Sequence, residues 1–201
     1  MVAIILGAGL LFSSISALPY LRDVTRGRAR PRLASWAIWA VLLSAMTYIC
    51  VREGQVASAV LSMVSVIGCT AIVITGWRHG SRALGRLDII ALIGAAIGIA
   101  SLFVQNDAVL ALAIMLVVDT IAYIPTLLHA WNDPEEESAV SWSVSAAGSV
   151  LTLVAAAMAQ ASVTGLLYPV YSATFGVIMV VLLAIGRARA TESSYRTDLV
   201  D

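Results

Sequence analysis

The sequence predicts an all-α integral membrane protein whose seven transmembrane helices form two parallel three-helix repeats joined by a linker helix. Its composition is the first observation, since 60% of the 201 residues are hydrophobic and only 12% are charged, whereas soluble domains carry about 25% charged residues. The second observation is a series of seven apolar stretches, each close to the length that crosses a bilayer. The third is a residue pattern that recurs after 106 positions.

The seven apolar stretches are predicted to be membrane spans, because about 20 apolar residues in a helix cross a hydrocarbon core of roughly 30 Å. They cover residues 2–22, 33–51, 55–77, 87–104, 107–130, 139–160 and 165–186. Only Arg52-Glu53-Gly54 separates spans two and three, and only Gln105-Asn106 separates spans four and five. Such short links predict antiparallel hairpins. The fourth span is short and rich in glycine and alanine, which favours close packing on its neighbours.

The arginines predict the orientation of the chain. All twelve basic residues are arginine, and eleven of them follow spans one, three and seven. With seven spans these regions lie on one side of the membrane, and Arg52 alone lies on the other. The positive-inside rule then places the N-terminus outside the cell and the C-terminus in the cytoplasm. The membrane is expected to be the plasma membrane. No basic residue precedes the first span, which predicts an uncleaved helix rather than a signal peptide.

The recurring pattern consists of a proline followed sixteen residues later by a Ser-Trp pair. Pro19 precedes Ser35-Trp36, and Pro125 precedes Ser141-Trp142. An even number of spans separates the two copies, so both have the same orientation. We therefore predict a first repeat over residues 1–80, a linker helix over 81–106, a second repeat over 107–190 and a polar cytoplasmic tail over 191–201.

This three-one-three arrangement, with a proline near the cytoplasmic end of the first helix of each triplet, resembles the PQ-loop superfamily that includes the SWEET sugar transporters. In that superfamily the proline is commonly followed by glutamine, whereas Tyr20 and Thr126 follow the two prolines of this chain. The resemblance covers about residues 2–187. It implies a parallel-repeat membrane fold and transport of a small polar solute by alternating access around a site near the midplane.

Polar and aromatic residues at helical spacing are the candidates for a shared cavity. Asp119, Tyr123 and Thr126 share one face of span five, and Ser13 and Tyr20 share the corresponding face of span one. The candidates for solute or proton binding are Ser13, Tyr20, Trp36, Asp119, Tyr123, Thr126, Trp142 and Tyr171. The alternative is packing, because small hydroxylated residues commonly join membrane helices and tryptophans commonly lie at the interface.

Asp119 is the most specific candidate because it lies near the middle of its span and its repeat counterpart is Ser13. An acid at that depth costs roughly 2.5–3.5 kcal/mol on insertion scales. No arginine lies inside a span to pair with it. It is therefore a candidate for binding the solute, a cation or a proton. The alternative is a neutral carboxylic acid that donates a hydrogen bond to a serine or threonine of a neighbouring helix.

The two prolines are candidate hinges, since each removes a helical hydrogen bond and permits a kink. Pro19 and Pro125 occupy equivalent positions, and paired kinks could open and close the cytoplasmic mouth. The alternative is a static kink that shapes packing.

Enzymatic activity is not expected, because Asp119 has no second acid, histidine or nucleophile at its depth, and no residue is assigned as catalytic. No cofactor, metal ion or nucleic acid is expected either, and His79 and His129 are expected to have no acidic cluster around them. The expected partners are a small polar solute, a proton, the lipid bilayer and a second copy of the chain in a homodimer. The alternative function is a membrane sensor or assembly partner that does not transport.

The loop that holds Asp133, Glu135, Glu136 and Glu137 is acidic. We expect it to be a solvated loop, the alternative being a partner or gating contact.

Overall fold

The computed structural model describes residues 1–83, 85–104 and 107–198, and this part of the chain forms seven α-helices and one short 3₁₀ helix. The helices are α1 Val2–Thr25, α2 Leu33–Arg52, α3 Val56–Gly76, α4 Arg86–Val104, α5 Ala108–Asn132, α6 Ala139–Met158 and α7 Val163–Asp198. The 3₁₀ helix η1 spans Pro134–Glu136, between α5 and α6. The prediction of an all-α fold is confirmed.

Predicted and observed helices agree closely except at the end of α7. The last span was expected to end near residue 186, with a polar tail from 191, but α7 continues to Asp198. No glycine or proline follows Gly186 to end the helix. The predicted link Gln105-Asn106 and the final residues 199–201 lie outside the described residues.

The helices expose apolar side chains on their outer surface, as a bilayer requires. Leu11 is 58% exposed, Ile67 63% and Val117 62%, although each lies in the middle of a helix. Six of the described helices, α1–α3 and α5–α7, are long and apolar enough to cross a membrane. The protein is therefore a multi-pass membrane protein.

Six helices form a closed ring. α3 contacts both α1 and α2, and α7 contacts both α5 and α6. Contacts of α1 with α6 and of α2 with α5 join these two sets of three into the order α1, α3, α2, α5, α7, α6. α4 packs on α5 and α2. There Gly94 and Gly98 allow close approach to Val118 and Met115 of α5.

A close helix crossing joins α1 to α6 through two glycines. A Cβ atom at Gly9 would lie 2.9 Å from the carbonyl oxygen of Gly148, and one at Gly148 would lie 2.8 Å from the carbonyl oxygen of Gly9. Both positions therefore need glycine, because the obstructing atoms belong to the backbone of the opposite helix.

One end of the ring is formed by residues 26–32, 77–83 and 133–138; it carries six arginines and is called the arginine-rich end. Arg32 donates to Asp88 at 2.9 Å, and Asp88 is completely buried at the start of α4. The backbone N–H of Gly85 donates to the same carboxylate at 2.7 Å. These bonds attach the beginning of α4 to the beginning of α2.

Candidate functional site

A cavity of about 130 Å³ lies at the centre of the helix ring. Its lining comes from α1, α2, α3, α5, α6 and α7, and no described residue of α4 contributes. On α3 the lining residues extend from Leu61 to Ile72, which is about 16 Å along a helix that rises 1.5 Å per residue. The cavity therefore occupies the middle of the ring rather than a surface groove.

Asp119 lines the cavity from α5 and is the one acidic residue of the described lining. It is 4% exposed, and its Oδ1 atom has no hydrogen-bond partner among the described residues. Its carboxyl group interacts electrostatically with the hydroxyl groups of Tyr123, Tyr168 and Tyr171. Oδ1 therefore makes no hydrogen bond to a serine or threonine of the described residues, which was the alternative considered from the sequence.

Aromatic rings form a continuous cluster along the side of the cavity made by α2, α5 and α7, and Trp142 of α6 joins it. The ring centroids of Trp39 and Tyr123 are 4.8 Å apart, and those of Tyr123 and Phe175 are 5.0 Å apart. Trp36 contacts both Trp39, at 5.1 Å, and Trp142, at 5.9 Å. Trp36 and Trp142 lie in the first turns of their helices, so this part of the cluster lies on the side of the cavity nearest the arginine-rich end.

The opposite side of the cavity, made by α1, α3 and α6, carries small residues. Its lining includes Ser13, Ser16, Ala17, Ser65, Gly68, Cys69, Ser141, Ser145 and Ser149. Cys69 is a free thiol. The cavity thus lies between an aromatic side with one carboxyl group and a side of hydroxyl groups.

Several polar atoms of the lining have no hydrogen-bond partner among the described residues. They are Ser13 Oγ, Trp39 Nε1 and Asp119 Oδ1, whereas Tyr171 Oη lies beside the Asp119 carboxyl group and Trp36 Nε1 beside the Tyr20 hydroxyl group. A buried polar atom without a partner costs about 1–3 kcal/mol. Such atoms, grouped around one cavity, are suited to bind a polar molecule that enters it.

The lining residues follow the 106-residue shift found in the sequence. Seven pairs of lining residues are 106 positions apart: Ser13 and Asp119, Ala17 and Tyr123, Trp36 and Trp142, Trp39 and Ser145, Leu43 and Ser149, Ser65 and Tyr171, Cys69 and Phe175. In most pairs one member is small and the other large. The pairing explains why bulk accumulates on one side of the cavity.

Six of the eight predicted binding residues line the cavity: Ser13, Trp36, Asp119, Tyr123, Trp142 and Tyr171. Tyr20 and Thr126 are buried but do not belong to the lining. The candidate hinges Pro19 and Pro125 both lie inside helices, α1 and α5.

Tyr20 instead contacts Glu137, a residue that the sequence did not single out. Glu137 is 2% exposed, and its Oε2 atom accepts hydrogen bonds from Tyr20 Oη and Trp142 Nε1, both at 3.0 Å. Arg187 of α7 donates to its backbone carbonyl oxygen at 2.8 Å. Trp142 therefore contacts the cavity with its ring and Glu137 with its N–H group.

The prediction of a solvated acidic loop is wrong for Glu137, whose side chain is buried. Burial raises the pKa of Glu137 to about 7, although hydrogen bonds from Trp142 and Tyr20 oppose the shift. A faint sequence signal was its position two residues before α6, where the chain enters the bundle. The expectation for His129 is also wrong, because its ring nitrogens lie 3.6 Å from carboxylate oxygens of Asp133 and Glu136. The described residues contain no cluster suited to a metal ion.

No protein-family model, curated protein or solved structure matches this chain. The resemblance to the PQ-loop superfamily therefore stays a prediction.

Proposed function

We propose that the protein is a membrane transporter that moves a small polar solute by alternating access around the central cavity. The observation that carries this proposal is the cavity itself, which lies inside a ring of apolar helices and groups unpartnered polar atoms around one carboxyl group. Polar and ionisable groups at membrane depth mark substrate or ion pathways.

We further propose the three-one-three organisation, with α1–α3 and α5–α7 as repeats and α4 as the linker that crosses the bilayer between them. The seven lining pairs at one constant shift support it. Counterparts also meet near the centre, since Trp36 contacts Trp142 and Arg30 pairs with Glu136 at 3.2 Å. Contacts between counterparts are expected next to a two-fold pseudosymmetry axis.

In this proposal the two triplets rock against each other, and the cavity opens alternately to each side. The aromatic cluster and the Glu137 contacts would separate on opening towards the arginine-rich end, with Pro19 and Pro125 as the hinges. The α1–α6 crossing at Gly9 and Gly148 would act as the pivot, because the two helix backbones are in close contact there.

Asp119 is proposed to bind the solute or a coupled proton. We expect Asp119→Asn to lower uptake into reconstituted vesicles at least tenfold and to abolish any dependence of uptake on a pH gradient, because the amide carries no charge and releases no proton. Asp133→Asn is the matched control, since Asp133 lies at the other end of α5 and is largely exposed. Unchanged uptake with unchanged pH dependence in Asp119→Asn would exclude the coupling role.

The orientation is proposed to place the arginine-rich end and the C-terminus in the cytoplasm of a plasma membrane. We expect a fluorescent protein fused to the C-terminus of the chain to fold and fluoresce in bacterial cells. A cysteine introduced at Gly54, in the turn between α2 and α3, should react with an impermeant thiol reagent from outside. If the introduced cysteine reacts only after cell lysis and the C-terminal fusion does not fluoresce, the orientation is the reverse of the proposed one.

A further inference from the structure

The cavity has a fixed negative group and no described fixed positive group. Asp119 is the acidic residue of the lining, and neither arginine nor histidine occurs among the lining residues. An ionised carboxyl group inside an enclosed site is unfavourable unless a positive charge lies close to it. Since the described lining holds no basic residue, the charge of Asp119 is balanced either by a proton or by a cation that enters the cavity.

The aromatic side provides a second type of recognition for positive charge. Tryptophan is the best cation–π partner among side chains, and such contacts strengthen when the site excludes water. Trp36, Trp39 and Trp142 line the cavity together with Tyr123 and Tyr171. Several of these rings lie within 7 Å of one another, so one small cation in the cavity is within reach of more than one ring.

An unpartnered donor points to an acceptor atom elsewhere in the ligand. The indole nitrogen of Trp39 is buried without a partner among the described residues. An indole N–H group only donates. A hydroxyl or ether oxygen of a ligand can accept from it, whereas a second ammonium group cannot.

The volume of the cavity further limits the class of ligand that can bind. The cavity of about 130 Å³ resembles an engineered cavity of about 150 Å³ that holds benzene, and drug-sized ligands need roughly 300–1,000 Å³. The ligand is therefore close to benzene in size. A carboxylate on that ligand would add a second negative charge to a lining without a basic residue, which disfavours zwitterionic amino acids.

We propose that the cavity binds a small organic cation, an alkylammonium that carries one hydroxyl group, with its ammonium group between Asp119 and the tryptophan rings. The hydroxyl oxygen accepts from a tryptophan N–H group, and the serine side of the cavity encloses the alkyl groups. This assignment rests on the proposed transport function, whose solute it identifies by class.

Binding to the purified full-length chain in detergent tests the assignment, with tryptophan fluorescence and calorimetry as readouts. Choline is the probe, and its uncharged isostere, in which carbon replaces the nitrogen, has the same shape. We expect choline to bind at least tenfold more tightly than the isostere, which corresponds to the loss of a cation–π contact in a desolvated site. Equal binding of both, or binding of glucose or glycine in place of choline, would overturn the assignment.

Variants locate the binding site. Asp119→Asn should weaken choline binding by about tenfold to a hundredfold, as expected for loss of a charged hydrogen-bond partner. Trp39→Leu should weaken it about tenfold, and Trp39→Phe should restore part of the affinity because a ring remains. Trp131→Leu, outside the cavity lining, is the control. Choline affinity that is the same in Asp119→Asn and Trp39→Leu as in the natural protein would contradict the assignment.

Vesicle uptake separates this inference from the proposed function. Choline that binds in a manner dependent on Asp119 but never enters vesicles would support the ligand class and reject transport. Uptake of a neutral or zwitterionic solute by a protein that does not bind choline would support transport and reject the ligand class.

Discussion

Replacing Gly148 with alanine is expected to destabilise the protein by roughly 1–3 kcal/mol, the usual effect of inserting a methyl group into a tightly packed contact. The new Cβ atom would lie 2.6 Å from the backbone nitrogen of Ser13 and 2.8 Å from the carbonyl oxygen of Gly9. These are backbone atoms, so no side-chain rotation relieves the contact. Helices α1 and α6 have to separate. The measurement is the unfolding midpoint of the purified protein in detergent.

Gly7→Ala is the matched control for this substitution. Gly7 also lies in α1, but a Cβ atom there has no heavy atom within 4 Å. Alanine is favoured over glycine in a helix by roughly 0.5–1 kcal/mol, so this variant should be as stable as the natural protein or slightly more stable. If Gly148→Ala and Gly7→Ala have the same unfolding midpoint, the close α1–α6 crossing is wrong.

The stability of the protein is expected to fall as pH rises from about 5 to about 8, and Glu137→Gln is expected to remove much of this fall. Burial raises the pKa of Glu137 from 4.5 to about 7. Between these values the folded protein holds a proton that the unfolded chain releases, so stability is greatest at the acidic end of the interval. A shift of this size corresponds to roughly 3 kcal/mol.

The glutamine variant isolates this effect because its amide oxygen can still accept hydrogen bonds from Tyr20 and Trp142. Unfolding midpoints measured at several pH values should lie on a flatter curve for the variant than for the natural protein. Glu135→Gln serves as the control, since the Glu135 side chain is 73% exposed and should leave the curve unchanged. A variant curve parallel to that of the natural protein would exclude Glu137 as the titrating group.

The positions of the helices along the chain could be predicted from the sequence, because each helix depends on local features. An apolar run of about 20 residues has to form a helix in lipid, where every backbone polar group needs a partner. The predicted start of span two at residue 33 coincides with the start of α2. The position of the Ser-Trp pairs relative to the prolines also predicted that Trp36 and Trp142 are counterparts, and their rings are in contact.

Asp119 could be selected from the sequence because a lone acid in an apolar run is conspicuous. Tyr20 and Thr126 were selected by helical spacing alone, and spacing defines a face without defining what that face contacts. In the folded chain the face of Tyr20 near the end of α1 meets Glu137 instead of the cavity.

The burial of Glu137 and Asp88 was decided only by the tertiary structure. Glu137 lies in an acidic loop and Asp88 lies at the start of the predicted span 87–104, and the neighbouring sequence does not define the partner of either acid. Tyr20 and Trp142 enclose Glu137 from two helices, and Arg32 reaches Asp88 across 56 positions of the chain. Contacts of this range depend on how helices pack.

Local composition therefore determined which segments form the apolar helices. The ring order of the helices, the central cavity and the partners of its polar atoms were decided by packing between helices distant in sequence. The physical reason is that the outer surface of every span contacts the same lipid environment and therefore has to be apolar. The inner surface depends on which side chains, from six different helices, come to face one another.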